Sequence, residues 1–339
     1  MSRPLITVFG ATGAQGGGLV RALLGAPAGG ARAFRVRAVT RRPDSAAARV
    51  LSDLGAEICA ADLDDAASVQ RAMNGAHGAF CVTSYWEHRS PARELAQADA
   101  MARAAQRAGV RHVVWSTLED TRRFAEPDGR TMPVLQDRYN VPHFDAKGQA
   151  DQCFTGRGLP LTRLLTSPAW DHLLHRALPP RRAADGRLEF VLPMGEVPLP
   201  GIAAADIGAC AAALFHQGEA AIGRRIGVAG EHLDAAQMAA ALAQALGEPV
   251  RAVALKPAEG GGLAIPDAAE LANMFRFLHD FHDEVLALRD VRATRALHPG
   301  LQDFASWLAA QAAHLPIEAP AFSRPLPPGG SAAATGPAA

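Results

Sequence analysis

Lysine, tyrosine and cysteine are all scarce in this chain of 339 residues, and net charge is absent. Lys+Arg 34 against Asp+Glu 34 removes the overall electrostatic case for nucleic acid or an anionic membrane surface. No run of about 18 apolar residues occurs without a charge, so a membrane-spanning helix is not expected. The longest candidate, Gly201 to Phe215, carries Asp206 in its middle. The N-terminal run Leu5–Phe9 is too short for a signal peptide and lacks a cleavage pattern. Cys59, Cys81, Cys153 and Cys210 form no C-x-x-C pair, and each lies in an apolar stretch. Buried thiols in a reducing cytoplasm are therefore expected. Of the 34 basic residues only two, Lys147 and Lys256, are lysines, and Tyr85 and Tyr139 are the only tyrosines.

What is present is an alternation of short β-rich runs and helix-patterned segments. Leu5–Phe9, Arg35–Thr40, Ala56–Ala60, Ala79–Thr83 and His112–Ser116 read as buried strands. Gly16 to Leu24 repeats its leucines and valine along one helical face. Ser90, Pro91 and Gly109 supply the cap, first residue and stop of a later helix. Such alternation predicts an α/β fold, a Rossmann-type doubly wound parallel sheet across 1–158. Across 159–314 a strand at Leu159–Leu165 returns to the sheet. Short strands (Leu188–Leu192, Arg225–Val228, Val250–Ala254) and helices then make a smaller α+β lid. Asp234 with Gln237 and Asp267 with Glu270 match capping-box spacing. Leu271, Met274, Phe275 and Leu278 give the second of these helices an apolar face. Residues 315–339, with six prolines and three glycines, are expected to form a disordered tail.

Gly10-Ala11-Thr12-Gly13-Ala14-Gln15-Gly16 follows the first strand and opens a helix, the context a dinucleotide phosphate loop requires. Where an NAD site would place an acidic residue, strand two ends in Thr40-Arg41-Arg42. Arg41 can pair with a 2′-phosphate, so NADP(H) is the expected cofactor. Asp62, with Leu63 beside it, is placed to meet the adenine; its other reading is a capping Asp in Asp62-Leu-Asp-Asp65. Tyr85 and Trp86 follow strand four, where they wall the cleft or simply pack. His279-Asp280-Phe-His282-Asp283 and the pair His172 and His175 complete no tetrahedral set, so no metal site is expected. No G-x-S-x-G nucleophile elbow occurs.

The phosphate loop, Val82-Thr-Ser-Tyr-Trp-Glu87, His143-Phe-Asp-Ala-Lys-Gly148 and Leu271-Ala-Asn-Met-Phe-Arg-Phe277 resemble the NmrA-like family. This is an atypical branch of the short-chain dehydrogenase/reductase superfamily, and the resemblance runs from Leu5 to Leu308. It is strongest toward the NADP-sensing regulators. It implies cofactor contacts at Thr83, Ser84, Tyr85 and Lys147, and after strand six at Trp170 and Asp171. Active members of the superfamily pair a Tyr with a Lys four residues later, plus a Ser. The resemblance puts Lys147 at the Lys position, His143 at the Tyr position and Ser116 near the Ser. Tyr139, eight residues before Lys147, is a poor substitute. Thr166-Ser-Pro168 departs from the Leu-Pro run of the relatives.

A retained Lys without its Tyr favours an NADP(H)-binding regulator that passes cofactor state to a protein partner, in the manner of a redox sensor. The alternative is an NADPH-dependent reductase or isomerase of a small, aromatic molecule. There Lys147 would act as general base, as in related reductases, or His143 would shuttle the proton. A structural module with a vestigial loop is the least favoured reading. Protein partner, small-molecule substrate and homodimer all stay open, without nucleic acid or membrane contact.

Overall fold

A computed structural model describes residues 3–25, 32–124, 132–174, 179–256 and 267–317. The first half runs β1 (Leu5–Val8), α1 (Ala14–Leu24), β2 (Arg35–Thr40), α2 (Ala46–Asp53), β3 (Glu57–Ala60), α3 (Ala66–Met73) and β4 (Gly78–Cys81). It continues through α4 (Pro91–Ala108), β5 (His112–Thr117), α5 (Pro142–Thr155) and β6 (Leu161–Leu165). The second half holds β7 (Arg181–Arg182), β8 (Leu188–Leu192), β9 (Leu199–Gly201), α6 (Ala204–Gln217), β10 (Arg225–Gly227), β11 (Glu231–Leu233) and α7 (Ala235–Leu246). It closes with β12 (Val250–Ala254), α8 (Ala268–Asp280), α9 (His282–Leu288), α10 (Val291–Leu297) and α11 (Phe304–Gln311).

The main sheet has the order β10-β6-β5-β4-β1-β2-β3, with every neighbour pair parallel. β1, β4 and β5 are buried along their whole length, as strands covered by helices on both faces must be. Winding reverses between β1 and β4, so a crevice opens beyond their carboxyl ends. Arg225–Val228, expected among the lid strands, belongs instead to the main sheet. β10 pairs with β6 through Arg225, Ile226 and Gly227 and satisfies a backbone edge that would otherwise be left open.

The glycines after the phosphate loop have a packing role. A Cβ on Gly18 would lie 2.4 Å from the Ala205 carbonyl oxygen, and one on Gly208 would lie 2.2 Å from Leu19 N. α1 and α6 therefore touch backbone to backbone, which fixes the entrance of α1 against the second half.

That second half adds a three-stranded sheet, β12-β8-β7, and the antiparallel pair β11-β9. Its apolar cluster includes Phe190, Met238, Phe275 and Trp307, and also Val141, Phe144 and Trp170 from the sheet side. One core thus spans both halves. Ser90, Pro91 and Gly109 cap and stop α4 as expected, and Asp234 with Gln237 forms a full capping box. Asp267 and Glu270 do not. Asp267 sits in the left-handed region at φ 58 and makes no side-chain cap, because both carboxylates reach across to the sheet half.

Two further expectations are corrected. Cys81 and Cys210 are buried, but Cys59 and Cys153 are only half-buried; all four are free thiols. The expected tail began at 315, yet Leu315 is buried in the lid core, so 315–317 belong to the packed body. The remainder, 318–339, lies outside the described residues. Among the described residues no helix is long and apolar enough to cross a membrane.

Candidate active site

The phosphate loop leaves β1 through Gly10 at φ 63, a conformation that disfavours a side chain. A Cβ on Gly16 would fall 2.3 Å from the Gly10 carbonyl oxygen, so the loop closes on the first turn of α1 only with glycine there. Gly13 is the N-cap and no side chain caps the helix, which leaves the N–H groups of its first turn free of side-chain partners. Such a turn can hold a pyrophosphate, aided by the positive end of the helix dipole. Ser116 Oγ, at the end of β5, donates to Gln15 Oε1 at 2.9 Å and ties this turn to the sheet.

At the end of β2, Thr40 Oγ1 lies 3.4 Å from Thr12 Oγ1 and accepts from Arg42 N. Arg41 projects into solvent and its guanidinium stands 2.7 Å from Glu87, just after β4. Asp62 is exposed and accepts from Asp64 N, while the cap of α3 is Asp65. The helix-capping alternative for Asp62 is thus not what the fold uses; its carboxylate forms a turn at the end of β3. Leu63 packs partly buried against the core beneath it.

Deeper in the crevice α5 carries both predicted chemical groups. Pro142 opens the helix, His143 follows, and Lys147 lies one turn on along the same face. Lys147 Nζ donates to Thr83 O at 3.0 Å and Thr83 Oγ1 at 2.7 Å, and pairs with Glu94 Oε1 at 2.8 Å. Glu94 is fully buried, and its other oxygen lies 3.3 Å from His88 Nε2, off the hydrogen-bond direction. His88 Nδ1 accepts from Ser90 N, so in the neutral ring the proton sits on Nε2, toward Glu94. Were Lys147 to give up its proton, Glu94 would be a buried carboxylate without its countercharge. This geometry suits a permanent ammonium anchor better than a general base.

His143 has a carboxylate partner of its own. Nδ1 lies 2.6 Å from Glu270 Oε1, which also accepts the His143 backbone N–H at 2.8 Å. Glu270 Oε2 accepts from the Tyr85 hydroxyl at 3.3 Å, and Gln136 Nε2 donates to that hydroxyl at 3.0 Å. Burial and the Glu270 charge push the Tyr85 phenol above its usual range. Trp86 packs against the His143 ring at 4.7 Å between centroids.

These groups line one cavity of about 650 Å³ between the carboxyl edge of the sheet and the lid. Gln15, Ser84, Ser116, Tyr85, His143 and Lys147 lie on its sheet side. Trp170, Leu173, Phe190, Leu192, Met274 and Phe275 make the rest apolar. The charged Arg89, Asp267 and Lys147 in its wall are each held by another protein group.

Of the residues expected after β6, Trp170 lines the cavity, but Asp171 is engaged elsewhere. Its carboxylate accepts Ala204 N at 2.8 Å, filling a donor at the start of α6 that no neighbouring side chain caps. Tyr139 precedes α5, is buried against Arg122 and Arg138, and is absent from the cavity wall. His172 also lines the cavity, while its expected neighbour His175 lies outside the described residues. No group of three His, Cys, Asp or Glu side chains suited to a metal occurs among the described residues.

Sequence reasoning missed Glu94 and Glu270, although a signal existed. Glu94 shares a helical stripe with the buried Ala98, Met101, Ala102 and Ala105, and Glu270 with Met274, Phe277 and Leu278. A carboxylate on a buried stripe must find a partner from another element.

Sheet order, uncapped glycine loop and a cavity at the carboxyl edge define a Rossmann-type protein of the dinucleotide-binding class. The NmrA-like family model matches residues 2–308, and the chain belongs to that family. Over 128 residues it is 39% identical to the NmrA-like family domain-containing oxidoreductase notA′ of Aspergillus versicolor, covering 36% of this chain and 34% of that protein. Over 155 residues it is 39% identical to notA of Aspergillus sp. (strain MF297-2), covering 42% of this chain and 44% of that protein. The matched stretches thus span less than half of these curated relatives.

Among solved structures, NmrA, a negative transcriptional regulator, superposes with TM-score 0.72 at 22% identity, covering 91% of this chain and 95% of that one. NmrA has also been solved in complex with NADP (TM-score 0.70, 23% identity, 91% and 95% covered). The Citrobacter sp. triphenylmethane reductase, complexed with NADP(H), gives TM-score 0.66 at 17% identity over 91% of this chain and 99% of that one. These likenesses establish the shared fold.

Proposed function

We propose that this chain is an NADP(H)-dependent oxidoreductase that reduces an uncharged, largely apolar acceptor. The observation that carries this reading is the placement of His143 and Lys147, on one face of α5, in the wall of a large apolar cavity. A purely cofactor-sensing domain has no need of such a chamber. The phosphate loop fits a dinucleotide, since its uncapped helix turn offers N–H donors and glycine at 16 lets the loop close against that turn. The triphenylmethane reductase and NmrA were each solved with NADP(H) or NADP, which supports the same cofactor here. Arg41 supplies the charge for a 2′-phosphate.

Bound NADPH supplies a hydride. Lys147, held as an ammonium by Glu94 and Thr83, anchors the ribose hydroxyls. His143 delivers the proton to the heteroatom of the acceptor, taking the place of the usual tyrosine. The apolar walls exclude water and select against charged acceptors, whose desolvation no free counter-ion in the wall offsets. In this reading the protein works in the cytoplasm on a small molecule, and a single chain completes the site.

The test is parallel calorimetric titration with NADPH, NADP, NADH and NAD, followed by NADPH consumption with neutral quinone, aromatic aldehyde and imine acceptors. Turnover by the wild type that His143→Gln abolishes, with NADPH affinity retained, supports the enzyme. Tight binding selective for one redox state, without turnover of any acceptor, would instead establish the regulator. That second reading has the missing tyrosine in its favour.

A further inference from the structure

We propose that Glu270, on the lid helix α8, is the positioning residue that sets the tautomer and orientation of His143 and so makes it a directed proton donor. The inference rests on the oxidoreductase reading for its catalytic consequence, but its structural content stands without it. Glu270 and His143 are 127 residues apart and both nearly buried, at 7% and 6% exposure.

The geometry is over-determined. Oε1 receives the His143 backbone N–H as well as Nδ1, so the carboxylate also fills a donor at the start of α5, whose own N-cap Val141 offers no side-chain bond. Oε2 is held by the Tyr85 hydroxyl, which Gln136 fixes from the other side. Around this carboxylate stand Arg89, Gln136 and Asp267, three of the four non-glycine residues with positive φ among the described residues. Such backbones persist only where surrounding contacts dictate them. Arg89 pairs with Asp267, and Asn273 donates to the carbonyls of Pro133 and Asn140. Asp267, Glu270 and Asn273, three residues apart along α8, thus bind the lid to the sheet half, and the middle one holds the imidazole.

With Nδ1–H committed to Glu270, proton exchange with a substrate runs through Nε2. With NADPH bound, its hydride would form a C–H bond at the acceptor carbon as the C=O or C=N π pair moves to the heteroatom. That atom takes the proton from Nε2 of the imidazolium. The products are reduced acceptor, NADP and a neutral imidazole still protonated at Nδ1, which regains its Nε2 proton from water. The Glu270 carboxylate offsets the imidazolium charge.

The experiment is ¹⁵N NMR of histidine-labelled full-length protein, with His143 assigned by comparison with His143→Gln. Wild-type His143 is expected as the Nδ1–H tautomer when neutral, and Glu270→Ala as the Nε2–H tautomer that free imidazole prefers. Glu270→Gln should keep the wild-type signature. The His143 backbone N–H faces the same position, so the amide oxygen is retained there and accepts Nδ1–H. In turnover, Glu270→Ala should lower kcat about 100-fold, at the low end of what a positioned acid contributes. NADPH affinity should hold, Glu270→Gln should recover part of the rate, and adding Glu270→Ala to His143→Gln should bring no loss beyond that of His143→Gln alone. Asp267→Asn, which loosens the lid without touching His143, should leave the tautomer unchanged.

An Nε2–H tautomer in the wild type would overturn the proposal. So would equal effects of Asp267→Asn and Glu270→Ala, or additive losses with His143→Gln, since either means that Glu270 only docks the lid. If no acceptor is turned over, the oxidoreductase reading fails and the tautomer measurement still decides the role of Glu270.

Discussion

Arg41 does not stand free at the end of β2, and its partner sets how strongly it can discriminate between cofactors. Its guanidinium lies 2.7 Å from Glu87, with side chains 56% and 51% exposed. Pairs this exposed contribute about 0–1 kcal/mol. Replacing Glu87 by glutamine therefore frees Arg41 at little cost and should raise NADPH affinity by up to about fivefold. A phosphate bound by a guanidinium is a stronger interaction, about 1.5–3 kcal/mol for a hydrogen bond to a charged group. Arg41→Ala should then weaken NADPH by about 10- to 150-fold. NADH, which lacks the 2′-phosphate, should change by less than about twofold in either variant. Arg42 is the neighbouring exposed cation, so Arg41→Ala/Arg42→Ala should lose at least as much as Arg41→Ala alone. Calorimetry with both cofactors at low and physiological salt reads all of this, and the NADPH advantage should shrink as salt rises. Equal losses for NADPH and NADH on Arg41→Ala would refute the 2′-phosphate assignment. A fall in NADPH affinity on Glu87→Gln would refute the competition.

Three further outcomes concern the scaffold. Arg289 and Glu119 form a buried bidentate pair at 2.6 and 2.9 Å. Burial pushes the Glu119 carboxyl up, but the Arg289 charge and hydrogen bonds outweigh it and hold the group below its usual range. Arg289→Met should cost about 3–5 kcal/mol in denaturant unfolding, and Glu119→Gln/Arg289→Met should recover much of it; equal losses would exclude a buried-charge penalty. His112 is pushed down to about 4 by burial, with His77 adding to the effect. The unfolded chain binds this proton below about pH 6.5 and the folded chain only near 4, so stability is intact above 6.5 and falls as pH drops to 4. The full loss is about 3 kcal/mol at 1.36 kcal/mol per unit, and melting curves of His112→Gln should lack that component. Gly208→Ala would drive a Cβ to 2.2 Å from Leu19 N and 2.3 Å from the Gln15 carbonyl oxygen. It should cost about 1–3 kcal/mol and weaken NADPH binding as well, because the atoms that must yield carry the phosphate loop. Unchanged melting temperature and affinity would show that α1 and α6 can separate.

The legibility of the site followed the range of each interaction. Gly10, Gly13 and Gly16 were readable because a tight turn and an open helix start are demands on adjacent backbone. Lys147 and His143 could be placed on one face because helix periodicity is local, and the family resemblance added what that face is for. Asp171 entered as a cofactor contact only through the family resemblance, and the partner its carboxylate takes in the fold, Ala204 N, lies 33 residues on, beyond local reading. Asp267 and Glu270 show the same limit in sharper form. Their spacing matched a capping box as well as Asp234 and Gln237 did, and only the latter pair forms one.

The sequence by itself determined the alternating strands and helices of the first half, the glycine turn after β1 and the caps of α4 and α7. Each of these depends on propensity, periodicity and hydrogen bonds within a few residues. Tertiary structure alone decided that β10 joins the main sheet, that Glu94 compensates Lys147, and that a lid carboxylate grips His143 and Tyr85. Those pairings cross up to 185 residues of chain. A buried charge must be matched, but which partner matches it depends on how the two halves dock.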